Sequence, residues 1–290
     1  MILEFSAPSK TFLSGEYAVL NGGPALVLTT APRFHLRAES GAGGVTGFHE
    51  SSPAGRWLRQ REPVWRGWKI AFHDPHKGRG GAGASGAQFL LAHAFTTRLQ
   101  GGEFCLRDAW NDYQVLTHGQ GSGADVLAQG TGGVSRVDLR GPETHAFDWP
   151  YVDMDFLIVR TDRKMPTHEH LQTLDRSKLE DLVAPARDVT ASFGHRPAKV
   201  FAQAVKSYGL ALRELELQAP ATLDWLKQFE SRDWCWAAKG SGAMGADMLT
   251  VLLPIEARVK ARQMMNSLGL EIMASSADLS AGLKEGRNAG

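Results

Sequence analysis

Apolar positions along the chain predict strands first and then an alternation of helices and strands. Residues 1–40 carry short apolar runs bounded by glycine and proline, which is typical of extended segments joined by turns. Within them, Pro8 predicts a turn just before Lys10. After Gly86 the pattern becomes helical and predicts a helix that ends at about Leu99. A second apolar stripe predicts a helix over residues 106–116.

The second half of the chain predicts an α+β layout around an antiparallel sheet. Residues 156–159 form a continuous apolar run of the kind found in buried strands. A helix is predicted from Thr167, where His168 and His170 would not share a helix face and so make a poor metal pair. Residues 41–78 are polar and rich in glycine, which predicts loops and short strands without assignable chemistry. The other predicted elements are helices over residues 173–218, 221–230 and 256–268, and strands over residues 248–253 and 269–273.

Composition is that of a globular protein with a sizeable core. The 290 residues are 43% hydrophobic, enough for one large domain or two closely packed ones. A net charge of +1 gives no general reason to expect nucleic acid or an anionic membrane as a partner. Cys105 and Cys235 are too few for a disulfide framework and are expected to be buried, in a reducing compartment. No signal peptide and no membrane-spanning apolar run is recognisable, so a cytoplasmic protein is predicted.

A glycine-rich segment carries the first candidate chemistry. Gly81, Gly83 and Gly86 lead into the helix predicted to end near Leu99. A glycine loop at a helix N-terminus directs several backbone N–H groups and the positive end of the helix dipole to one point, which favours phosphate binding. Ser85 stands at the junction, where its hydroxyl could cap the helix or reach a phosphate or its metal ion. A simple turn is the alternative at this stage.

The same glycines also fit the spacing of a dinucleotide-binding fingerprint, and a second triplet beginning at Gly240 fits it again. That fold requires a strand that ends directly at the first glycine. Here residues 73–78 form a polar break after the apolar residues near Ile70, which disfavours an NAD-type oxidoreductase. A Walker loop is disfavoured as well, because the segment lacks the Gly-Lys-Ser/Thr ending. A phosphate cradle of another kind is the better interpretation.

Several glycine-rich segments in a fixed order are more specific than any one of them. The relevant stretches are residues 7–20, 81–86, 122–125 and 239–247. Taken together over residues 5–253, they resemble the motifs of the GHMP kinases, the superfamily of galactokinase, homoserine kinase, mevalonate kinase and phosphomevalonate kinase. The resemblance implies transfer of the γ-phosphoryl group of ATP to a small acidic isoprenoid precursor.

The resemblance also implies an α+β fold with two domains. An N-terminal ribosomal-protein-like α/β domain would span residues 1–150, and a C-terminal ferredoxin-like α+β domain would span residues 151–290. A change in composition around residues 141–150 agrees with that boundary. ATP and Mg²⁺ are the implied cofactors, and a small acidic alcohol or phosphate is the implied second substrate. Nucleic acid and membrane are not expected as partners, and monomer and homodimer both stay open.

The family's functional residues carry over to matching positions in this sequence. Asp125 would accept the acceptor's proton or orient its oxygen, and Lys10 would lie near Asp125 and offset charge on the transferring group. The implied roles are catalysis for Asp125 and Lys10, ATP phosphate binding for Gly81, Ala82, Gly83, Ala84, Ser85 and Gly86, substrate binding for Glu16, Tyr17, Ser122, Gly123, Ser241 and Gly242, and a magnesium contact for Ser85.

Single residues favour the phosphomevalonate kinases within this superfamily. Tyr17 stands where mevalonate kinases more typically carry histidine, and Ser85 followed by glycine resembles the end of the phosphomevalonate kinase loop. Val126 follows Asp125 where the mevalonate kinase form has asparagine. Mevalonate kinase is the alternative assignment. If the acceptor is already phosphorylated, a further cation should bind that phosphate, and the candidates are Lys77, Arg79, His118 and Lys239.

Two positions depart from the family pattern. Ala84 stands where the second motif usually has the first of two serines. Gln114 stands eleven positions before Asp125, where mevalonate kinases have a magnesium-binding glutamate, and a neutral amide is a weaker magnesium ligand than a carboxylate. These departures leave open a function of another class, in which a catalytically silent relative binds a nucleotide or metabolite as a sensor or partner.

Overall fold

The computed structural model describes residues 1–41, 43–161, 176–242 and 248–287. The helix predicted from Thr167 and the larger part of the last glycine-rich segment lie outside these residues. Within them, no helix is both long enough and apolar enough to cross a membrane.

The strands of the described residues form two separate sheets. They are β1 (Ile2–Ser14), β2 (Ala25–Ser40), β3 (Gly44–Thr46), β4 (Trp68–His73), β5 (Val134–Asp138), β6 (Glu143–Phe147), β7 (Met154–Arg160), β8 (Ala237–Ser241), β9 (Met248–Pro254), β10 (Glu271–Ser275) and β11 (Lys284–Arg287). The larger sheet has the order β11-β1-β2-β4-β3, with β5 paired to β2 and β6 paired to β5. The smaller sheet has the order β10-β7-β9-β8.

The turn predicted at Pro8 is wrong, because β1 runs straight through this residue. β1 pairs with β2 along its length, and the register shifts between Pro8 and Ser9. Proline has no N–H to contribute to a ladder, so a strand accommodates it at such an irregularity. The consequence for the site is that Lys10 lies within a long strand rather than on a loop.

The smaller sheet confirms the predicted α+β layout. All of its strand pairs are antiparallel, and β7 and β9 are buried along their whole length, as the apolar run at residues 156–159 indicated. The loop predicted from Lys239 onward is corrected in part, since residues 239–241 belong to β8. The backbone of these residues is therefore fixed by pairing with β9.

Helices cover both sheets. They are α1 (Pro53–Gln60), α2 (Glu62–Trp65), α3 (Ala84–Leu99), α4 (Leu106–Thr117), α5 (Ala124–Thr131), α6 (Val183–Ser192), α7 (Ala198–Glu214), α8 (Pro220–Glu230) and α9 (Arg258–Ser267). The helix predicted to end near Leu99 is confirmed as α3, and its residues 89–96 are all buried, so every face of this stretch contacts protein. The helix predicted over residues 106–116 is confirmed as α4.

The prediction of loops and short strands for residues 41–78 is correct for β3 and β4 but missed helices α1 and α2. The clearest case is α1. Ser52 caps it, accepting a hydrogen bond from Gly55 N at 3.0 Å, and Pro53 occupies its first position. Both are standard features of helix starts. Trp57 and Leu58 are buried on its inner face, which packs against α3. Helix α1 and the residues directly before it thus form a wall of the cleft that the glycine-rich loop also lines.

Buried apolar residues from both halves of the chain form one continuous cluster, which includes Phe34 from β2 and Phe156 from β7. Near the end of the described chain, β11 returns to pair with β1. Both sheets match the predicted α+β class, and a division into two domains at residue 150 stays a prediction. The burial expected for the cysteines is wrong for Cys105, which is exposed, while Cys235 is only partly buried.

Candidate active site

A cleft of about 740 Å³ brings together residues from five separate parts of the sequence. Its walls come from β1 and the turn after it, from the segment that leads into α1, from the glycine-rich loop before α3, from the C-terminal end of α4 with the start of α5, and from Gly242 after β8. Eleven of the predicted site residues line it: Lys10, Glu16, Tyr17, Gly81, Gly83, Ala84, Ser85, Ser122, Gly123, Asp125 and Gly242. Ala82, Gly86 and Ser241 lie directly behind this surface and are buried.

The glycine-rich loop has the backbone geometry of an anion cradle. Gly81 and Gly83 have φ angles of +78° and +89°, which disfavour residues with a side chain. Helix α3 begins directly after Gly83 without a side-chain cap, so the N–H groups of its first turn stay available at the cleft. Ser85 is exposed there. A phosphate in the cleft would meet these N–H groups and the positive end of the α3 dipole.

Asp125 lies against the start of α3. It is in the first turn of α5, and its Oδ1 accepts a hydrogen bond from Val126 N at 3.0 Å. A Cβ atom added to Gly86 would fall 2.8 Å from Asp125 Oδ2 and 2.7 Å from Gln129 Oε1. The two helices therefore start so close together that a side chain at position 86 requires the Asp125 and Gln129 side chains to move.

This contact gives a first prediction. We expect Gly86→Ala to displace the Asp125 carboxylate and to lower turnover by about 100-fold, because a shift of about 1 Å in a reacting group has that effect. Alanine favours the helical backbone more than glycine does, so the loss of turnover should not follow from an unfolded α3. Turnover and circular dichroism would be measured together.

The matched control for that variant is Gly141→Ala, because a Cβ at Gly141 meets nothing within 4 Å. The control should retain wild-type turnover. Wild-type turnover in Gly86→Ala itself would mean that the position of Asp125 is not critical.

Lys10 flanks the loop on the other side. Its backbone N donates to Ala82 O at 2.9 Å, which ties β1 to the loop. Its side chain passes over Gly83, where an added Cβ would fall 2.6 Å from Lys10 Cγ. Its Nζ lies 5.0 Å from the centre of the Phe12 ring, and no described carboxylate lies within the 4.0 Å of an ion pair. Lys10 and Asp125 thus contact the same loop from opposite ends without pairing directly.

A buried ion pair connects the first motif with the last one. Lys239 Nζ donates to Glu16 Oε1 at 2.5 Å, to Ser241 Oγ at 3.1 Å and to Phe12 O at 3.2 Å. Lys239 is fully buried and the Glu16 side chain is 7% exposed. Burial lowers the pKa of Lys239, and the Glu16 charge opposes that shift. Lys239 is therefore a structural counter-ion to Glu16 and not the free cation that was one of the sequence candidates.

Glu16 keeps one oxygen for another partner. Its Oε2 is buried and has no hydrogen-bond partner among the described residues, although the residue lines the cleft. A buried acceptor without a donor is unfavourable by about 1 to 3 kcal/mol, so a ligand hydroxyl or N–H would be a favourable partner. Ser241 is held below by its own hydrogen bond to Phe12 O at 2.8 Å. Of Glu16 and Ser241, Glu16 is therefore the residue that can bind a ligand.

Side chains of α4 hold the loop that precedes Asp125. Gln114 Nε2 donates to Gly121 O and to Ser122 O, both at 3.0 Å, and Trp110 Nε1 donates to Ser122 O at 3.0 Å. Ser122 Oγ accepts a hydrogen bond at 3.3 Å from the N–H of Ala124, the first residue of α5. The amide of Gln114 is thus engaged in positioning the loop, which explains why an uncharged residue serves there.

The described side chains do not form a dedicated magnesium cage. The described part of the chain contains no group of three or more His, Cys, Asp or Glu side chains that could hold a metal ion. Mg²⁺ usually binds one or two carboxylates together with substrate phosphates and keeps several waters. Asp125 and the exposed Ser85 hydroxyl fit an ion that arrives on the phosphates of a nucleotide, rather than a resident ion.

A chain of buried hydrogen bonds connects β7, the turn that precedes the glycine-rich loop, β1 and β2. Arg160 Nη2 donates to His76 Nδ1 at 3.0 Å, His76 Nε2 lies 2.7 Å from Ser9 Oγ, and Ser9 Oγ donates to Pro32 O at 2.6 Å. Because arginine can only donate, His76 is neutral with its proton on Nε2. Burial and the Arg160 charge lower the pKa of His76. Sequence reasoning did not find this connection, since its members lie up to 151 positions apart.

The lowered pKa of His76 predicts a pH dependence of stability. The unfolded chain takes up a proton on His76 near pH 6.5, whereas the folded chain does so only at lower pH, so the free energy of unfolding should fall as the pH drops below about 6.5. We expect this fall to be smaller in His76→Gln than in the wild type. Denaturant unfolding between pH 5 and 8 would measure it, and parallel profiles for the two proteins would contradict it.

Several cleft residues were missed by the sequence analysis, and most of them precede or belong to α1: His49, Ser51, Ser52, Pro53 and Arg56. The Ser52-Pro53 pair followed by buried Trp57 and Leu58 is a helix-start signal that could have located this wall. Tyr113 of α4 also lines the cleft. Burial and the Asp125 charge raise its pKa, while the Arg56 charge lowers it.

Comparison with known proteins rests on three-dimensional structure. No protein-family model matches the chain, and no curated protein matches it in sequence. Streptococcus pneumoniae phosphomevalonate kinase, in complex with phosphomevalonate and AMPPNP, is similar with a TM-score of 0.78 at 15% identity, covering 94% of this chain and 98% of that one. Methanococcus jannaschii mevalonate kinase has a TM-score of 0.70 at 13% identity and covers 95% and 97%.

A third similar structure comes from a sugar kinase. Lactococcus lactis galactokinase, complexed with galactose, has a TM-score of 0.77 at 11% identity and covers 98% of this chain and 95% of that one. The similarity extends over nearly the full length in all three cases, although the acceptors named differ. Phosphomevalonate kinase, mevalonate kinase and galactokinase are all members of one superfamily, and the chain therefore has the GHMP kinase fold.

Proposed function

We propose that the protein is an ATP-dependent small-molecule kinase and that its acceptor is phosphomevalonate. The observation that carries the proposal is the position of Asp125 Oδ2, which lies 2.8 Å from where a Cβ at Gly86 would be, so that an anion cradle and a carboxylate adjoin in one cleft. Phosphoryl transfer needs that combination, since its catalysis is mainly positioning and neutralisation of charge. The AMPPNP complex of the pneumococcal phosphomevalonate kinase supports nucleotide use within this fold.

In the proposed reaction, an acceptor oxygen attacks the γ-phosphorus of ATP and the bond from that phosphorus to the bridging oxygen breaks, which releases ADP. The free N–H groups at the start of α3 hold the phosphates, and Ser85 reaches a phosphate oxygen or the Mg²⁺ bound to it. Mg²⁺, when bound, offsets the negative charge of the phosphates. Lys10 adds positive charge on the β1 side of the loop.

Asp125 acts on the acceptor. With a hydroxyl acceptor it takes the proton that the attacking oxygen loses, and with a phosphate acceptor it orients the attacking group. Glu16 Oε2 accepts a hydrogen bond from the acceptor, because it is the buried oxygen of that residue without a partner. Tyr17 and Gly242 complete the lining on this side.

Three features of the sequence favour phosphomevalonate over mevalonate as the acceptor. Tyr17, the Ser85-Gly86 pair and Val126 follow the phosphomevalonate kinase pattern, and mevalonate is the second candidate. A silent nucleotide-binding relative is the candidate of another class, and it is favoured by Ala84 together with the engagement of the Gln114 amide. Such a protein would bind ATP but release no ADP with any acceptor.

The test is Mg²⁺-dependent release of ADP from ATP, with mevalonate, phosphomevalonate, homoserine and galactose offered separately. Release with phosphomevalonate alone supports the proposal. Release with mevalonate alone supports the second candidate. ATP binding by calorimetry without ADP release from any of the four supports the silent relative.

A further inference from the structure

The cleft contains a cation that none of the preceding assignments uses. Arg56 is in α1, and it lines the cleft beside Ser52 and Pro53. Its Nε atom is buried and has no hydrogen-bond partner among the described residues. No described carboxylate forms an ion pair with it, whereas Arg66, ten positions further along the chain, pairs with Glu62. Arg56 as a whole is partly exposed, so its buried Nε is the group that an anion in the cleft would satisfy.

The four cations proposed from the sequence are less suitable for an anionic ligand. Lys239 is fully buried against Glu16, and Arg79 Nη2 donates to Glu271 Oε2 at 2.6 Å. Of the four, His118 is the one that lines the cleft in the described structure. Arginine is charged at every physiological pH, and its planar fork matches two phosphate oxygens at once, which an exposed histidine does not offer.

Arg56 also lies close to the reacting end of the cleft. Arg56, Tyr113 and Asp125 line the same cleft, and the Asp125 charge raises the pKa of Tyr113 while the Arg56 charge lowers it. Helix α1 packs against α3 and α4, the two helices that carry the cradle and lead to the Asp125 loop. An anion bound by Arg56 would therefore be held within the same cleft as the cradle and Asp125.

We propose that Arg56 is an anion-binding residue of this cleft and holds a phosphoryl group of a substrate through its guanidinium. The inference rests on the proposed function and adds a specificity-determining residue to it. Two sources can supply the phosphoryl group: the polyphosphate of the nucleotide and the phosphate of a phosphorylated acceptor. An uncharged acceptor would gain nothing from Arg56.

The test compares Arg56→Met and Arg56→Lys with a matched control, Arg59→Met. Arg59 lies on the same helix one turn further along and is exposed. Each protein is titrated calorimetrically with ADP, with phosphomevalonate and with mevalonate, each ligand alone, and thermal unfolding checks that the variants are folded. The unphosphorylated mevalonate controls for acceptor contacts that do not involve a phosphate.

We expect Arg56→Met to lower the affinity for one of the two phosphorylated ligands by about 10- to 100-fold, which is the usual range for a lost charge-assisted hydrogen bond. Arg56→Lys should lower that affinity less, because lysine keeps the positive charge but not the planar fork of donors. Weaker ADP binding assigns Arg56 to the nucleotide. Weaker phosphomevalonate binding with unchanged mevalonate binding assigns it to the acceptor.

Two results would overturn the inference, and they are distinguishable. Wild-type affinities for both phosphorylated ligands in Arg56→Met would refute the role of Arg56 and leave the proposed function intact. If the wild-type protein bound neither ADP nor either acceptor, the proposed function would fail and the role of Arg56 with it.

Discussion

Replacing Asp125 with asparagine is expected to lower kcat by about 10²- to 10⁴-fold, the usual contribution of a positioned acid–base group. The amide has the shape of the carboxylate but neither its charge nor its capacity to take a proton. The cradle at the start of α3 is unchanged by this substitution, so the affinity for ADP should stay within a few-fold of the wild type. Steady-state ADP release and calorimetric ADP binding would separate the two effects.

The control for this variant is Asp108→Asn, which changes an exposed carboxylate in the first turn of α4, outside the cleft lining. It should retain wild-type kcat. Near-normal turnover in Asp125→Asn would remove Asp125 from the mechanism. A loss of ADP affinity as large as the loss of turnover would instead indicate that Asp125 shapes the cradle.

The largest expected effect on stability is at Lys239. Lys239→Met leaves the Glu16 carboxylate buried without its counter-ion, and breaking a buried pair in this way lowers the free energy of unfolding by about 3 to 5 kcal/mol. Glu16 lies in the turn after β1 and Lys239 lies in β8, so the pair links the two sheets and its loss should appear as destabilisation of the whole chain. Denaturant unfolding followed by fluorescence and by circular dichroism would measure it.

Two further variants test the cause. Lys260→Met removes an exposed partner of Asp233 and should leave stability nearly unchanged, because solvent screens that pair. The double variant Glu16→Gln, Lys239→Met should be more stable than Lys239→Met alone, since it removes the unpaired charge. If the single and double variants were equally unstable, lost packing rather than lost charge would be the cause.

The sequence predicted the local parts of this structure well, and physical reasons explain which ones. Helix α3 follows from its glycine start and unbroken run of helix-compatible residues, and β7 follows from its apolar residues. The cleft could be predicted because the residues of each glycine-rich motif are close in sequence. The resemblance of their order to a known superfamily then brought the separate motifs together.

Contacts between distant parts of the chain could not be predicted in the same way. Lys239 looked like a free cation because its partner Glu16 lies 223 positions away. Helix α1 was missed because its few apolar residues are interspersed with glycine and polar residues. Arg56, which belongs to α1, was overlooked for the same reason. Pro8 was misread because local turn propensity does not account for the β2 ladder that holds it.

The close approach of α3 and α5 at Gly86 has a consequence for how this cleft can diversify. A side chain at position 86 and the carboxylate at position 125 occupy adjoining space, so changes at the two sites should be coupled rather than additive. Divergence or laboratory evolution toward new acceptors therefore has little freedom at the start of these helices. Helix α1 is free of that constraint, and it is the wall from which we expect a new substrate preference to evolve first.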